Sequence, residues 1–216
     1  MVGRSLSLAL TILFALVSSG VAHAVDTLKW EDLAPAWEEG KNPVPELSDA
    51  QQDDLYAILW GPNFDDPSGK MDDSERKARA NLKASGVDAD KIIAKIKRLR
   101  KEAEVRDQTL VEALDGKDVK IPGYVLPLEF SGTLVKKFLL VPYVGACIHM
   151  PPPPPNQIVD VTLSKGFQND GLFAPVWVTG RITAGKTEQS LTLVDGTSKV
   201  SVGYSLSATK IEPYEE

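Results

Sequence analysis

Residues 119–130 read VKIPGYVLPLEF and form the first of several short runs that are rich in β-branched and aromatic residues. This composition is typical of β-strands, and turn signals that contain glycine separate most of the runs. The remaining runs cover residues 136–143, 157–163, 175–182 and 200–212, and residues 190–194 are a candidate sixth.

The number and spacing of these runs predict a small closed barrel. About five strands fall within about 105 residues, and Gly123 and Gly180 stand where strands could bend sharply. An OB-like barrel is our first interpretation, and a β-sandwich is the alternative.

The preceding part of the chain has the periodicity of helices. Ser48 is followed three residues later by Gln51, which makes a capping box at the start of an amphipathic stretch. Residues 74–85 predict a second helix that Gly86 ends, and Asp88 caps a third helix with one apolar stripe. The chain is therefore expected to be α+β.

We place the domain boundary between Arg106 and Leu110, where the helical period gives way to the strand-like runs. The predicted organisation is a signal peptide, an extended and helical N-terminal region, and an OB-like β-barrel domain. These parts cover residues 1–24, 25–109 and 110–216.

The first 24 residues have the composition of a secretory signal. They contain no acidic residue, carry one positive charge at Arg4, and end in Ala22-His23-Ala24, a small-residue cleavage site. The apolar core of residues 6–17 is shorter than the roughly 20 residues that a membrane-spanning helix needs. We therefore expect cleavage after Ala24, a periplasmic location and a soluble mature protein without stable membrane insertion.

The charge of the mature chain argues against nucleic acid as a partner. Loss of Arg4 leaves 23 basic and 30 acidic residues, whereas phosphate binding needs a basic face. Residues 25–73 hold 13 acidic and 3 basic residues, but residues 74–106 hold 11 basic and 5 acidic ones. Either the two segments pack with complementary surfaces, or a basic helix rests on anionic lipid.

The chemistry-bearing side chains of the mature chain meet in one motif, YVGACIHM, at residues 143–150. Cys147 is the sole cysteine, and His149 is the histidine that remains after signal removal. If residues 147–149 are extended, both side chains leave the same face of the strand, roughly 7 Å apart. Sulfur and nitrogen could then reach one soft metal ion or each other.

Three interpretations of this motif compete. Cys147 and His149, with Met150, could bind Zn(II) or Cu(I), and Glu129, Asp160 or a partner would complete the ligand set. Alternatively, His149 lowers the pKa of the Cys147 thiol, which then acts as a nucleophile or redox group. In the third interpretation, Cys147 is a small buried hydrophobe and His149 a hydrogen-bonded core residue.

A run of five prolines follows the motif and predicts a stiff polyproline II segment. Such a run is commonly a docking or spacer element, and its position between two strands argues against a free spacer. We expect it to pack against aromatic residues such as Tyr124, Tyr143 or Trp177. The candidate partner-binding residues are Pro151, Pro152, Pro153, Pro154 and Pro155.

With these motifs in view, the chain resembles a family of small exported bacterial proteins that are classified as a domain of unknown function. The similarity is concentrated in the second half of the chain and in a W-x-D-L-x-P pattern near the mature start, where Ala34 is smaller than usual. The helical region has no such anchor. The matching stretches are IPGYVLPLEF at 121–130, FLLVPYVGACIH at 138–149, NQIV at 156–159 and PVWVTG at 175–180.

The resemblance implies a transport accessory rather than an enzyme. Similar proteins are often encoded beside ABC-transporter components for zinc or other divalent metals, which favours Cys147 and His149 as metal ligands. We therefore expect a periplasmic binding protein that assists divalent or soft metal transport, with ABC-transporter components as partners. The alternatives are an adaptor that docks through the proline run, or a thiol-dependent enzyme.

Overall fold

The computed structural model describes residues 24–37, 44–66, 68–147, 152–169, 171–193 and 196–214. Residues 1–23, with most of the predicted signal peptide, and residues 148–151 of the predicted motif lie outside this part of the chain. Within the described ranges the protein is mixed α+β. No helix of these ranges is long and apolar enough to cross a membrane.

Three helices precede most of the sheet: α1 at Asp49–Leu59, α2 at Asp73–Ala84 and α3 at Ala89–Gln108. The capping box at the start of α1 is confirmed, since the backbone N–H of Ser48 donates to Gln51 Oε1 at 2.9 Å. Asp88 caps α3 as predicted by accepting from the backbone N–H of Lys91 at 3.0 Å. These side chains satisfy backbone donors that lack partners in the first turn of a helix.

The helices share a small apolar core of their own. Leu55 and Ile58 of α1 meet Leu82 of α2 and Ile92 of α3, and Phe64 from the following turn closes the cluster. This cluster is distinct from the two apolar clusters of the sheet.

Six strands form the sheet: β1 at Asp26–Thr27, β2 at Asp118–Ser131, β3 at Leu134–Val141, β4 at Val159–Gln168, β5 at Pro175–Leu193 and β6 at Gly196–Pro213. Their order is β1-β2-β3-β4-β6-β5, and β5 pairs with β2 as well, so that β2 to β6 close on themselves. The β1–β2 and β4–β6 pairs are parallel, and the other pairs are antiparallel.

The longest hairpin differs from the sequence expectation. The runs at residues 175–182 and 190–194 are predicted as separate strands, but β5 joins them through Gly185, with a register irregularity between Ala184 and Thr187. The strand continues because β6 supplies backbone partners on both sides of the irregularity, from Pro213 back to Gly196. Extra residues of this kind bend a strand without ending it.

The two faces of the sheet carry separate apolar clusters. Val125, Phe138 and Val161 belong to the inner cluster, which Leu33 of the N-terminal segment joins. The outer cluster contains Leu126 and Leu139 on the opposite faces of the same strands, as the two-residue period of a strand requires. The far part of the β5–β6 hairpin covers it with Leu191, Val200 and Val202.

Candidate functional site

The N-terminal segment is fixed to the sheet by a buried tyrosine. Tyr204 on β6 donates its hydroxyl proton to the carbonyl of Leu33 at 2.7 Å and accepts from the backbone N–H of Val111 at 2.7 Å. Burial raises the pKa of the Tyr204 hydroxyl. Because it bonds both segments, Tyr204 joins residues 30–35 and the segment after α3 to the sheet.

The polar pair that follows the proline run makes a second junction beside it. Asn156 Nδ2 donates to the carbonyls of Arg106 at 2.8 Å and Thr109 at 3.0 Å, and Gln157 Nε2 donates to the carbonyl of Trp30 at 3.0 Å. Asn156 is fully buried. These side chains therefore have a structural role, linking the end of α3 and the W-x-D-L segment.

The proline run is partly inside the molecule. Pro153 and Pro155 are buried, Pro154 is half-buried and Pro152 is exposed, whereas Pro151 lies outside the described residues. A Cβ on Gly203 would come within 2.6 Å of the Pro155 carbonyl oxygen, so the run passes directly over β6. Two of the five prolines predicted to bind a partner are thus occupied by contacts within the chain.

The backbone of Cys147 is not extended, whereas its pairing with His149 was predicted for an extended segment. Its φ is +67°, in the left-handed region that side chains with a Cβ rarely adopt. The thiol packs against the outer apolar cluster, and burial raises its pKa to about 11. Burial therefore favours the protonated thiol, whereas the nucleophile interpretation depends on His149. His149 and Met150 lie outside the described residues.

The carboxylates suggested as further metal ligands are engaged with a lysine. Lys137 Nζ is 3.5 Å from Asp160 Oδ2 and 3.9 Å from Glu129 Oε1, and Gln189 Nε2 donates to Asp160 Oδ2 at 2.7 Å. Burial raises the pKa of Asp160, and Lys137 partly offsets this. Nowhere in the described ranges do three His, Cys, Asp or Glu residues gather as metal ligands.

A notch of about 170 Å³ opens at one end of the closed sheet. Gly123 is required there, because a Cβ at this position would lie 2.9 Å from Cζ2 of Trp30 and 2.8 Å from Cγ of Leu140. The W-x-D-L-x-P pattern and three of the four matching stretches thus each contribute to this notch, together with Tyr214, which sequence reasoning missed. The lining residues are Trp30, Pro122, Gly123, Tyr124, Pro142, Pro175 and Tyr214.

Two loops with exposed apolar side chains leave the sheet beside this notch. Tyr124 pairs with both Val141 and Pro175, so the loop after β3 and the loop before β5 flank it. Val144 on the first loop is 58% exposed and Leu172 on the second is 64% exposed. We call the notch with these two loops, residues 142–147 and 171–174, the notch end.

The backbone of the notch end is strained on both loops. Besides Cys147, Phe173 has a positive φ of +60°, and its N–H donates to the carbonyl of Val125 at 2.8 Å. Cys147 and Phe173 are the two non-glycine residues with positive φ in the described part of the chain. Each such conformation costs about 1–3 kcal/mol and tends to occur at functional sites.

The fold and the site define a mixed α+β protein in which the W-x-D-L-x-P pattern and three of the matching stretches line a notch at one end of the closed sheet. The chain belongs to the DUF3299 family of proteins of unknown function, whose model matches residues 30–213. The resemblance to a family of unknown function is thereby confirmed.

A DUF3299 family protein from Pseudomonas aeruginosa PAO1 (PA4066), known from a crystal structure at 2.45 Å resolution, is similar to this chain. The two are 32% identical over 89% of this chain and 98% of that one, with a TM-score of 0.47. No curated protein matches the chain.

Proposed function

We propose that this protein is an exported accessory protein that acts by binding a protein partner at the notch end. The observation that carries the proposal is the convergence of the W-x-D-L-x-P pattern and three of the matching stretches on a notch beside two loops that expose Val144 and Leu172. Exposed apolar side chains grouped on one surface are characteristic of protein interfaces. Tyr143, 38% exposed, extends this surface.

The side chains around the notch suit recognition of an apolar segment. Prolines and aromatic rings offer rigid surfaces that lose little conformational entropy on binding. The Trp177 ring lies 5.4 Å from the Tyr214 ring, and Lys120 Nζ lies 5.0 Å from the centre of the Trp177 ring. A partner would therefore meet a preformed surface with the Lys120–Glu212 ion pair at its margin.

The scaffold of this site is, in our proposal, an OB-like barrel made of β2 to β6. The closing pair β2–β5 and the parallel pair β4–β6 support it, because a five-stranded Greek-key barrel needs both closure and a crossing connection. The separate apolar core of α1 to α3 supports a boundary between residues 109 and 110. Proteins with this barrel commonly bind ligands through loops at the barrel surface.

Export to the periplasm remains part of the proposal and rests on the composition of residues 1–24. A periplasmic protein of this kind could dock on the outward face of ABC-transporter components, as the resemblance implies. Fractionation of the host, followed by N-terminal sequencing of the purified protein, tests this part. A mature chain that begins at Val25 supports it, and a cytoplasmic chain that begins at Met1 contradicts it.

Metal handling is the second candidate function, with Cys147, His149 and Met150 as ligands for Zn(II) or Cu(I). The strained backbone of Cys147 supports a role beyond packing. The ion would have to displace a proton from a thiol with a pKa of about 11, so uptake should strengthen as the pH rises. Metal analysis of wild type against Cys147→Ser combined with His149→Ala tests it, and equal metal content in both rejects it.

The partner proposal is tested by co-purification from the solubilised membranes of the native host. A partner is expected to accompany the wild-type chain and to fall by more than about tenfold with Val144→Glu and Leu172→Glu together, because interface anchors carry most of the binding energy. Phe130→Glu is the matched control, because this exposed aromatic residue lies six residues beyond Tyr124, near the end of β2. Equal recovery from all three proteins would contradict the proposal.

A further inference from the structure

The exposed side of α3 carries lysines that form no ion pair within the described part of the chain. Residues 89–101 contain six basic residues and one acidic residue, Asp90, which pairs with Arg79 of α2. Lys91, Lys95 and Lys101 have no ion-pair partner among the described residues. Positive charge is therefore available on this helix for a partner outside the chain.

Few ion pairs join the acidic N-terminal segment to this helix among the described residues, although Glu46 lines the same surface cavity as Lys91 and Lys95. In the described part of the chain, two ion pairs join residues 25–73 to residues 74–106. One links Asp73 and Arg76, which are close neighbours in the sequence. The other links Lys97 and Asp65, at 4.0 Å. Complementary packing of the two segments was the first expectation from their charges. The described residues provide few such ion pairs, so the alternative of an external anionic partner gains support.

The arrangement of these cations matches an extended anionic surface. Lys91, Lys95 and Lys101 span ten residues of helix, or about 15 Å. Between them, Arg98 contacts Glu102 at 3.5 Å, an exposed pair that a stronger anion can displace. Long, unpaired lysine side chains adapt to a layer of phosphate groups without requiring one fixed geometry.

An exposed tryptophan belongs to the same helical unit. Trp60, which follows α1, is 78% exposed and lies four residues before Phe64. The Phe64 ring is 4.5 Å from Lys97 Nζ and 5.0 Å from Arg100 Cζ, which fixes this turn against α3. Tryptophan side chains favour the headgroup level of a bilayer, where the indole is partly buried and partly hydrated.

We propose that α3, together with Trp60 of the same helical unit, binds the protein peripherally to a membrane surface rich in anionic phospholipid. Basic helices bind such surfaces by electrostatic attraction together with shallow apolar insertion. Peripheral binding would concentrate the protein at the membrane without a spanning segment. The helical unit would thereby serve a purpose distinct from that of the notch end.

Vesicle co-sedimentation tests this inference with a chain that lacks residues 1–24, so that the apolar leader cannot contribute. Binding is expected to vesicles of phosphatidylcholine with one-third phosphatidylglycerol, to fall at higher salt, and to be absent with phosphatidylcholine alone. Each cation near an anionic surface contributes about fivefold, so Lys91→Ala, Lys95→Ala and Lys101→Ala together should weaken binding roughly 100-fold.

The matched control changes net charge equally on the sheet, through Lys165→Ala, Lys186→Ala and Lys199→Ala, and should bind as wild type does. Vesicles should also shift tryptophan emission to shorter wavelength in wild type but not in Trp60→Phe. The proposal would be overturned by equal losses of binding in the two triple variants or by binding to phosphatidylcholine alone. It would also be overturned by an emission shift that persists in Trp60→Phe, or by binding to soluble polyglutamate in preference to vesicles.

Discussion

Replacing Tyr204 by Phe removes one oxygen atom from the interior and leaves two backbone groups without their partner. The hydroxyl donates to the carbonyl of Leu33 and accepts from the N–H of Val111, each at 2.7 Å, and Tyr204 and Leu33 are both fully buried. A buried backbone group that loses its hydrogen bond costs about 1–3 kcal/mol. The expected loss in the free energy of unfolding is therefore about 2–4 kcal/mol.

Urea denaturation followed by circular dichroism measures this loss, provided that wild type and variant unfold with the same dependence on urea concentration. Tyr56→Phe is the control, because Tyr56 is exposed on α1 and its hydroxyl has no hydrogen-bond partner among the described residues. This control should change stability by less than about 0.5 kcal/mol. If Tyr204→Phe were equally mild, the junction would not depend on Tyr204, and our reasoning would be refuted.

The pH dependence of stability provides a second test of the same residue. Burial raises the pKa of Tyr204 in the folded protein above its ordinary value of about 10. Because the pKa of Tyr204 is higher in the folded than in the unfolded protein, the neutral hydroxyl contributes stability. This contribution is fully present below the pKa of the unfolded state and is lost as the pH rises through the pKa of the folded state. The stability advantage of wild type over Tyr204→Phe should therefore shrink above about pH 10.

Three further predictions concern the sheet and the notch end. Gly123→Ala should destabilise the protein by about 1–3 kcal/mol in urea denaturation, because the added Cβ would crowd Trp30. Gly185→Ala is the control and should be neutral, because the space around Gly185 is open. Equal effects of the two substitutions would contradict the crowding at Gly123. Cys147 should react with iodoacetamide at pH 8 about 100-fold more slowly in the folded protein than in guanidinium, and equal rates would revive the thiol-enzyme interpretation. Because burial raises the pKa of Asp160, lowering the pH from 7 toward 4 should stabilise wild type relative to Asp160→Asn in urea denaturation, and a constant difference would count against this.

Local sequence signals predicted many individual elements well. The run at residues 119–130 became β2 with one more residue at each end, and the caps at Ser48 and Asp88 start α1 and α3. These signals work because capping and strand alternation depend on near neighbours in the sequence. The continuation of β5 through Gly185 was missed, because its backbone partners come from β6, which follows later in the chain.

The candidate site was harder to predict, since its parts come from distant segments. The sequence places Cys147 beside His149 and suggests a shared strand, yet no local signal indicates the left-handed backbone of Cys147. Asn156 and Gln157 were recognised only as the end of a motif, although their side chains bond to Arg106, Thr109 and Trp30. Long-range contacts of this kind become visible only in the folded structure.

Site-specific photocrosslinking in living cells of the native host tests the central claim most directly. A photoreactive amino acid placed at Val144 or at Leu172 should give one crosslinked product with the same partner protein, whereas the same probe at Phe130 should give none. All three positions are exposed apolar residues, so the probe itself is equally accessible. The absence of a product at Val144 and Leu172, or the same product from Phe130, would contradict a partner-binding site at the notch end.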